Sequence, residues 1–240
     1  MEAIKEFLSR PDIKEIKEKH TQGEIMTEDF FRDPLRPMYI TPDVFYAPAD
    51  GIVLYAMDRV KPDDFLEIKG KDFTLKDLLA DQDYQDESVV VGIFMTAYDV
   101  HINRAPTAAY YLGTRDTDYI YTHNISMLMA ENELLEEFHY SKDALSYLMT
   151  NEKRVSSFYG NEVRHKFYVV QVGDKDVDVI LTWGKGKHIK QGDRFGQIRF
   201  GSQCDVIIPR KKGYEYELLV KPLEHVEAGR DSIIKVMRLK

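Results

Sequence analysis

The sequence predicts a mostly β, α+β protein: an antiparallel β-rich core of barrel or sandwich type, with a helical extension at the N-terminus and a helical insertion. Three observations predict it. From residue 38 onward, short runs of β-branched and aromatic residues alternate with turns rich in Gly, Asp and Pro, such as Gly173-Asp174-Lys175 and Gly192-Asp193. The first twenty residues instead carry apolar side chains at helical spacing, and so does the stretch from Ile125 to Leu148.

In chain order, Ile4, Phe7 and Leu8 share one helical face, Pro11 interrupts, and Ile13 and Ile16 begin a second amphipathic turn. Such a stripe packs on the protein's own core or lies on a membrane surface. Residues 1–29 therefore form an N-terminal extension and residues 30–240 a single domain. Its expected strands are Val44 to Tyr46, Gly51 to Ala56, Val89 to Phe94, Phe167 to Val172, Val177 to Trp183, Phe195 to Phe200, Val206 to Ile208, Tyr216 to Val220 and Ser232 to Met237. Between them, Leu128, Leu134, Leu135, Phe138, Leu145 and Leu148 give one or two helices in the 125–148 insertion, which could serve as a lid, a membrane contact or a dimer face.

Composition narrows the function classes. With 240 residues the chain can bury a sizeable core, and 43% apolar with 31% charged residues is globular composition. The longest apolar run, Val89 to Met95, is far below the roughly 20 residues of a membrane-spanning helix. A net charge of −8 argues against a nucleic-acid partner, and the basic clusters Lys185, Lys187, His188, Lys190 and Arg210, Lys211, Lys212 read as solvated hairpin tips. The lone Cys204 excludes an internal disulfide and a cysteine-based zinc site, no metal is expected, and the cytoplasm is the expected compartment, with peripheral membrane contact through Ile4, Phe7 and Leu8 as the alternative.

Arg199-Phe200-Gly201-Ser202-Gln203 ends a strand-like run. A Gly-Ser pair is ordinarily a strand-end turn, but it is also a place where a hydroxyl can attack a neighbouring carbonyl that no Cβ shields. Two other motifs accompany it: Phe30-Phe31-Arg32-Asp33-Pro34-Leu35-Arg36-Pro37 followed by Ala47-Pro48-Ala49-Asp50-Gly51, and Tyr98-Asp99-Val100-His101-Ile102-Asn103-Arg104-Ala105-Pro106. Singly, Asp50-Gly51 is a turn dipeptide and His101 a core histidine. In this order, with Asn151-Glu152-Lys153-Arg154 between the second and third and Asp205-Val206 after the third, they resemble the phosphatidylserine decarboxylases, self-processing enzymes that carry a pyruvoyl group. The similarity runs from about Phe30 to Ile234.

The resemblance implies cleavage between Gly201 and Ser202. Ser202 Oγ attacks the Gly201 carbonyl to give an ester, and β-elimination, hydrolysis and loss of ammonia leave a covalent pyruvoyl group, the expected cofactor, on a 39-residue C-terminal fragment (240 minus 201). The nucleophile needs a base held in one orientation, and His101 with Asp50 supplies that pair. His101 is also the candidate acid for the decarboxylation step, in which the ketone withdraws electrons as carbon dioxide leaves. The substrate implied is phosphatidylserine, converted to phosphatidylethanolamine, with a free amino acid as the alternative and a homodimer as the expected assembly.

Two residues depart from the pattern. Arg104 stands where many members have a second histidine, and its fork suits a carboxylate or phosphate. Gln203 stands where Ser or Thr is usual, and its amide could donate to an oxyanion. A competing reading from another class is a non-catalytic biotinyl- or lipoyl-like module, with Lys175 or Lys235 as the modified residue.

Overall fold

The computed structural model describes residues 1–37, 39, 41–117, 124–161, 163–175, 180–183, 186–198 and 202–239. Among them the main element is an antiparallel sheet of nine strands, in the order Glu2–Ala3, Glu224–Val226, Gly51–Val60, Ser88–Met95, Ser202–Pro209, Lys166–Gly173, Lys153–Gly160, Ala109–Asp116 and His188–Ile189. One face is covered by two three-stranded sheets, Tyr214–Leu218 with Ser232–Arg238 and Val44–Tyr46, and Ile180–Thr182 with Arg194–Ile198 and Ile102–Arg104. Phe45, Phe158, Phe167, Phe195 and Val206 fill the space between these layers. The other face packs under the hairpin Leu66–Ile68 and Lys71–Phe73, the helix Leu75–Leu78 and the insertion, around Leu54, Leu78, Leu145, Tyr147 and Ile207.

The strand Ser202–Pro209 lies at the centre, between Ser88–Met95 and Lys166–Gly173, and every one of its residues is buried. Both faces of the sheet are covered, so this strand has no solvent side to mark with regular polar residues. The expectation of Val206 to Ile208 therefore saw only its apolar middle, and Ser202, Gln203 and Asp205 are buried polar members of the same strand. The strands Lys153–Gly160 and Ala109–Asp116 also escaped the sequence reading, since one carries a Ser-Ser pair and the other places the apolar Tyr110 and Leu112 on its exposed side and ends in Gly-Thr-Arg-Asp. The expected runs from Val177 and to Phe200 lie in part outside the described residues.

The N-terminal helices run Ile4–Ser9, Pro11–Lys19 and Gln22–Thr27. Pro11 opens the second helix, where its missing N–H costs no bond. Ile4, Phe7, Ile13 and Ile16 are all buried and Leu8 is half-buried, so this stripe packs largely on the protein's own core. The cause is local: Glu2 and Ala3 add a short strand to Glu224–Val226, and this pins the first helix against the sheet. No helix among the described residues is long and apolar enough to cross a membrane. The insertion is broken into the α-helix Leu128–Asn132, a π-turn over Glu133–Glu137 and a 3₁₀ stretch over Lys142–Met149, with Phe138 left-handed between them.

Candidate active site

Ser202 is the first residue of its strand, paired with Met95 on one side and Gly173 on the other, and it is fully buried. Side chains alternate across a strand, so Ser202 faces the same layer as Cys204 and Val206, while Gln203 and Asp205 face the opposite one with Ile207. Among the described residues the Ser202 hydroxyl donates only to the Met95 sulfur, at 3.4 Å, a weak acceptor. Gly201 lies outside the described residues.

The His101 segment comes to the same place through the adjoining small sheet. Its residues Ile102–Arg104 pair with Arg194–Ile198, the strand that leads toward Ser202, and Ile198 N–H donates to the His101 carbonyl at 3.2 Å. Asn103 reaches the sulfur that Ser202 uses: its Nδ2 lies 3.8 Å from Met95 Sδ. The Asn103 carbonyl oxygen accepts from Gln171 Nε2 at 2.7 Å, which fixes the amide with its NH₂ toward the serine side. Gly196 makes room for this pair, since a Cβ there would stand 2.9 Å from Gln171 Nε2 and 2.8 Å from the Leu181 carbonyl oxygen.

His101 is buried under the edge of Phe30, with ring centroids 4.0 Å apart. Its Nδ1 lies 2.9 Å from the Asp99 main-chain carbonyl, which can only accept, so Nδ1 carries the proton and Nε2 holds a lone pair. Nε2 has no hydrogen-bond partner among the described residues. Burial pushes this imidazole down to about 4, against the raising effects of the Asp99 carbonyl and carboxylate. It is thus a neutral base at physiological pH, with its acceptor nitrogen uncommitted.

The expected His101–Asp50 pair does not form. Asp50 Oδ2 accepts from Arg36, and Oδ1 accepts from the Ala228 N–H at 2.7 Å. Burial raises Asp50 to about 6, with the Arg36 charge working in the opposite direction. The orienting role belongs instead to Asp99. Its carbonyl holds His101, while its carboxylate accepts from His225 Nε2 at 2.7 Å and from Thr96 N and Oγ1 at 2.8 and 2.7 Å. Burial alone would raise Asp99, but His225 and Thr96 outweigh it and hold the carboxyl below its usual value. Asp99 stood inside the motif that carried His101, yet nothing in the spacing said that its main chain would act. His225, buried beneath Phe7 at 3.7 Å, gave no sequence signal at all.

Arg104 does not present its fork to a ligand. Its Nη1 donates to the Gly192 carbonyl at 3.1 Å, and Nη2 donates to Asp33 at 2.9 Å and the Pro34 carbonyl at 3.3 Å. It ties the segment around Asp33 and Pro34 to the Gly192 turn. Gln203 is corrected as well: its Nε2 donates to Tyr55 and Asp205 on the face away from Ser202, so it is not an oxyanion donor. Beside the His101 loop, a cavity of about 290 Å³ is lined in part by Arg36, Asp50, Asp99, Val100, His225 and Glu227.

A buried serine at the start of a central strand, an oriented amide that reaches the same sulfur and a neutral buried histidine two residues before that amide make up the candidate site. Residues 25–234 match the family model described as phosphatidylserine decarboxylase, and the chain belongs to that family of pyruvoyl-dependent carboxy-lyases. It is 31% identical over 211 residues to a phosphatidylserine decarboxylase proenzyme of Chlorobium limicola, covering 88% of this chain and 79% of the relative. It is 32% identical over 227 residues to a protein of Methanocaldococcus jannaschii named as a candidate archaetidylserine decarboxylase proenzyme, covering 89% and 91%. A similarly named protein of Methanothermobacter thermautotrophicus is 30% identical over 210 residues, covering 86% and 78%. The biotinyl- or lipoyl-like reading gives way to this membership.

Proposed function

We propose that this chain cuts itself between Gly201 and Ser202 and then decarboxylates the serine headgroup of a phospholipid, releasing carbon dioxide and leaving an ethanolamine headgroup. The observation that carries this reading is the buried Ser202, whose hydroxyl meets the same weak Met95 sulfur that Asn103 reaches, with the neutral His101 and its Nε2, unpartnered among the described residues, two positions before Asn103. In self-cleavage His101 takes the Ser202 proton as Oγ attacks the Gly201 carbonyl. The Asn103 amide, turned toward the serine side by Gln171, is the donor for the oxygen that gains charge. Asp50 anchors Arg36 and the Ala228 turn and so holds the N-terminal and C-terminal parts of the site together, a positioning role rather than proton transfer.

The residues fit a pyruvoyl group formed from Ser202: the serine is fully buried, its hydroxyl meets only a weak sulfur acceptor among the described residues, and the Asn103 amide reaches that same sulfur. Once formed, that group supplies an electron sink for loss of the carboxylate. His101 then delivers a proton to the carbon that lost it.

The test is intact mass and a denaturing gel. The 28.0 kDa chain is expected to yield two pieces, the smaller being the 39 residues from position 202 (240 minus 201). Ser202→Ala is expected to remain whole. A wild-type chain that stays whole on long incubation defeats the reading, and carbon dioxide release from free serine but not from vesicles containing phosphatidylserine would move the substrate from lipid to amino acid.

A further inference from the structure

The helical insertion and the opposite face of the Ser202 strand carry a second polar construction that the chemistry above leaves unused. Tyr147, from the 3₁₀ stretch Lys142–Met149, donates to Gln203 Oε1 at 2.5 Å. Gln203 Nε2 lies 2.7 Å from the Tyr55 hydroxyl and 2.8 and 3.0 Å from the two carboxylate oxygens of Asp205. Tyr55 in turn donates to Asp205 Oδ1 at 2.6 Å. All four side chains are buried. The space they occupy is reserved for them: a Cβ on Gly92 would stand 2.4 Å from the Tyr55 ring and 2.5 Å from Asp205 Oδ1.

We propose that Tyr147, Tyr55 and Asp205 form a clamp on Gln203 that positions the adjacent Ser202 for self-cleavage, so that the insertion is part of the processing machinery. The proposal rests on the self-cleavage reading. Ser202 opens its strand, and strand ends fray unless something beyond the ladder holds them. A serine or threonine at 203 could not span from Tyr147 to Tyr55 and Asp205 together; glutamine has the reach and both hydrogen-bonding functions. Gln203, the departure from the family pattern, thus arrives with its own set of partners.

The clamp also gives the processing step a pH dependence. Burial raises Asp205 to about 7, while Tyr55, Gln203 and Lys153 pull it down. The groups facing it are Tyr55 from Gly51–Val60, Tyr147 from the insertion, Lys153 from Lys153–Gly160, and Cys204 beside it in its own strand. Burial holds both Tyr55 and Tyr147 well above the usual phenol value, so they remain donors. Lys153, lowered to about 8 by burial, is the neighbouring cation. Above pH 7 the Asp205 carboxylate accepts all three hydrogen bonds; below it, a proton occupies one of those acceptor sites and the clamp loosens.

The experiment follows the appearance of the 39-residue fragment in freshly purified chain between pH 6 and 8, for wild type, Tyr147→Phe, Asp205→Asn, Gln203→Thr and the double variant Tyr147→Phe/Gln203→Thr, with thermal melts to establish that each is folded. Tyr147→Phe is expected to slow cleavage about tenfold, as loss of a buried hydrogen bond commonly does. The double variant should be no slower than Gln203→Thr alone, because the two changes remove one contact. Wild-type cleavage should rise through pH 7, and Asp205→Asn should flatten that rise, which a purely structural role would leave in place. Folded variants that cleave at the wild-type rate, additive effects in the double variant, or an unchanged pH profile in Asp205→Asn each overturn the clamp. A wild type that never cleaves instead removes the self-cleavage reading, and the clamp's role goes with it.

Discussion

Residues 202 and 203 sit next to each other in one strand and live in opposite chemical conditions. Among the described residues Ser202 has a sulfur atom as its only acceptor, the Asn103 amide beside it has only that same sulfur for its NH₂, and the nearby His101 segment carries a ring nitrogen with no partner. On the other face, Gln203 uses its oxygen and its nitrogen together, on two tyrosines and a carboxylate. Buried polar groups are ordinarily paired, and an unpaired one costs about 1–3 kcal/mol. The difference therefore separates a face built for reaction, where groups are left uncommitted, from a face built for restraint.

The first way to break this contrast is to remove the uncommitted base. His101→Gln keeps a donor for the Asp99 carbonyl but provides no titratable nitrogen, and cleavage is expected to slow by roughly a thousandfold, within the range for loss of a general base. Fragment half-times from gel densitometry measure it, and a variant that cuts within a few-fold of wild type would show that another group takes the Ser202 proton. Next is the oriented amide. Asn103→Ala should slow cleavage by about a hundredfold, as loss of one oxyanion donor does. Gln171→Leu, which leaves Asn103 in place but free to turn, should show a smaller loss in the same direction.

How much of this was legible in the sequence differs between the two faces. Ser202, His101 and Asp50 were singled out because their motifs stand in the order of the family to which the chain belongs. The sequence could not show that Asp50 would go to Arg36 and Ala228, because that choice depends on a turn 178 residues away. Nor could it show that a main-chain carbonyl would set the His101 tautomer, since every residue has one. The Gln203 face was misread for a related reason. An amide beside a nucleophile suggests an oxyanion donor, but the strand's alternation turns residues 202 and 203 to opposite sides, and only burial on both faces reveals what each side meets.

Overpacking tests the restraining face from its interior. Gly92→Ala inserts a Cβ against both the Tyr55 ring and Asp205 Oδ1, neither of which can withdraw without breaking a buried hydrogen bond. A loss of about 2 kcal/mol is expected from overpacking of this kind. Urea unfolding of the Ser202→Ala background, which keeps the chain whole, measures it, and an unchanged midpoint would mean that the space behind Gly92 is less closely filled than the geometry shows.

The smallest expected effect concerns protons on the reactive face. His101 has its pKa lowered in the folded chain to about 4, from 6.5. As pH falls through 6.5 the unfolded chain takes up a proton that the folded chain refuses, so the stability associated with the neutral imidazole is present above 6.5 and is lost progressively toward pH 4. Between pH 7.5 and 5.5 the loss is about 1.4 kcal/mol, by the equivalence of one pKa unit with 1.36 kcal/mol. Asp50 and Asp205, raised to about 6 and about 7, act with the opposite sign, because the folded chain protonates them before the unfolded chain does. Comparing Ser202→Ala with Ser202→Ala/His101→Gln at both pH values cancels those two acids and isolates the histidine. The gap between the two unfolding free energies should shift by that amount in favour of the glutamine variant at pH 5.5. A gap that does not move with pH would mean that His101 binds its proton equally in both states, and the description of His101 as a base kept neutral by burial would have to be abandoned.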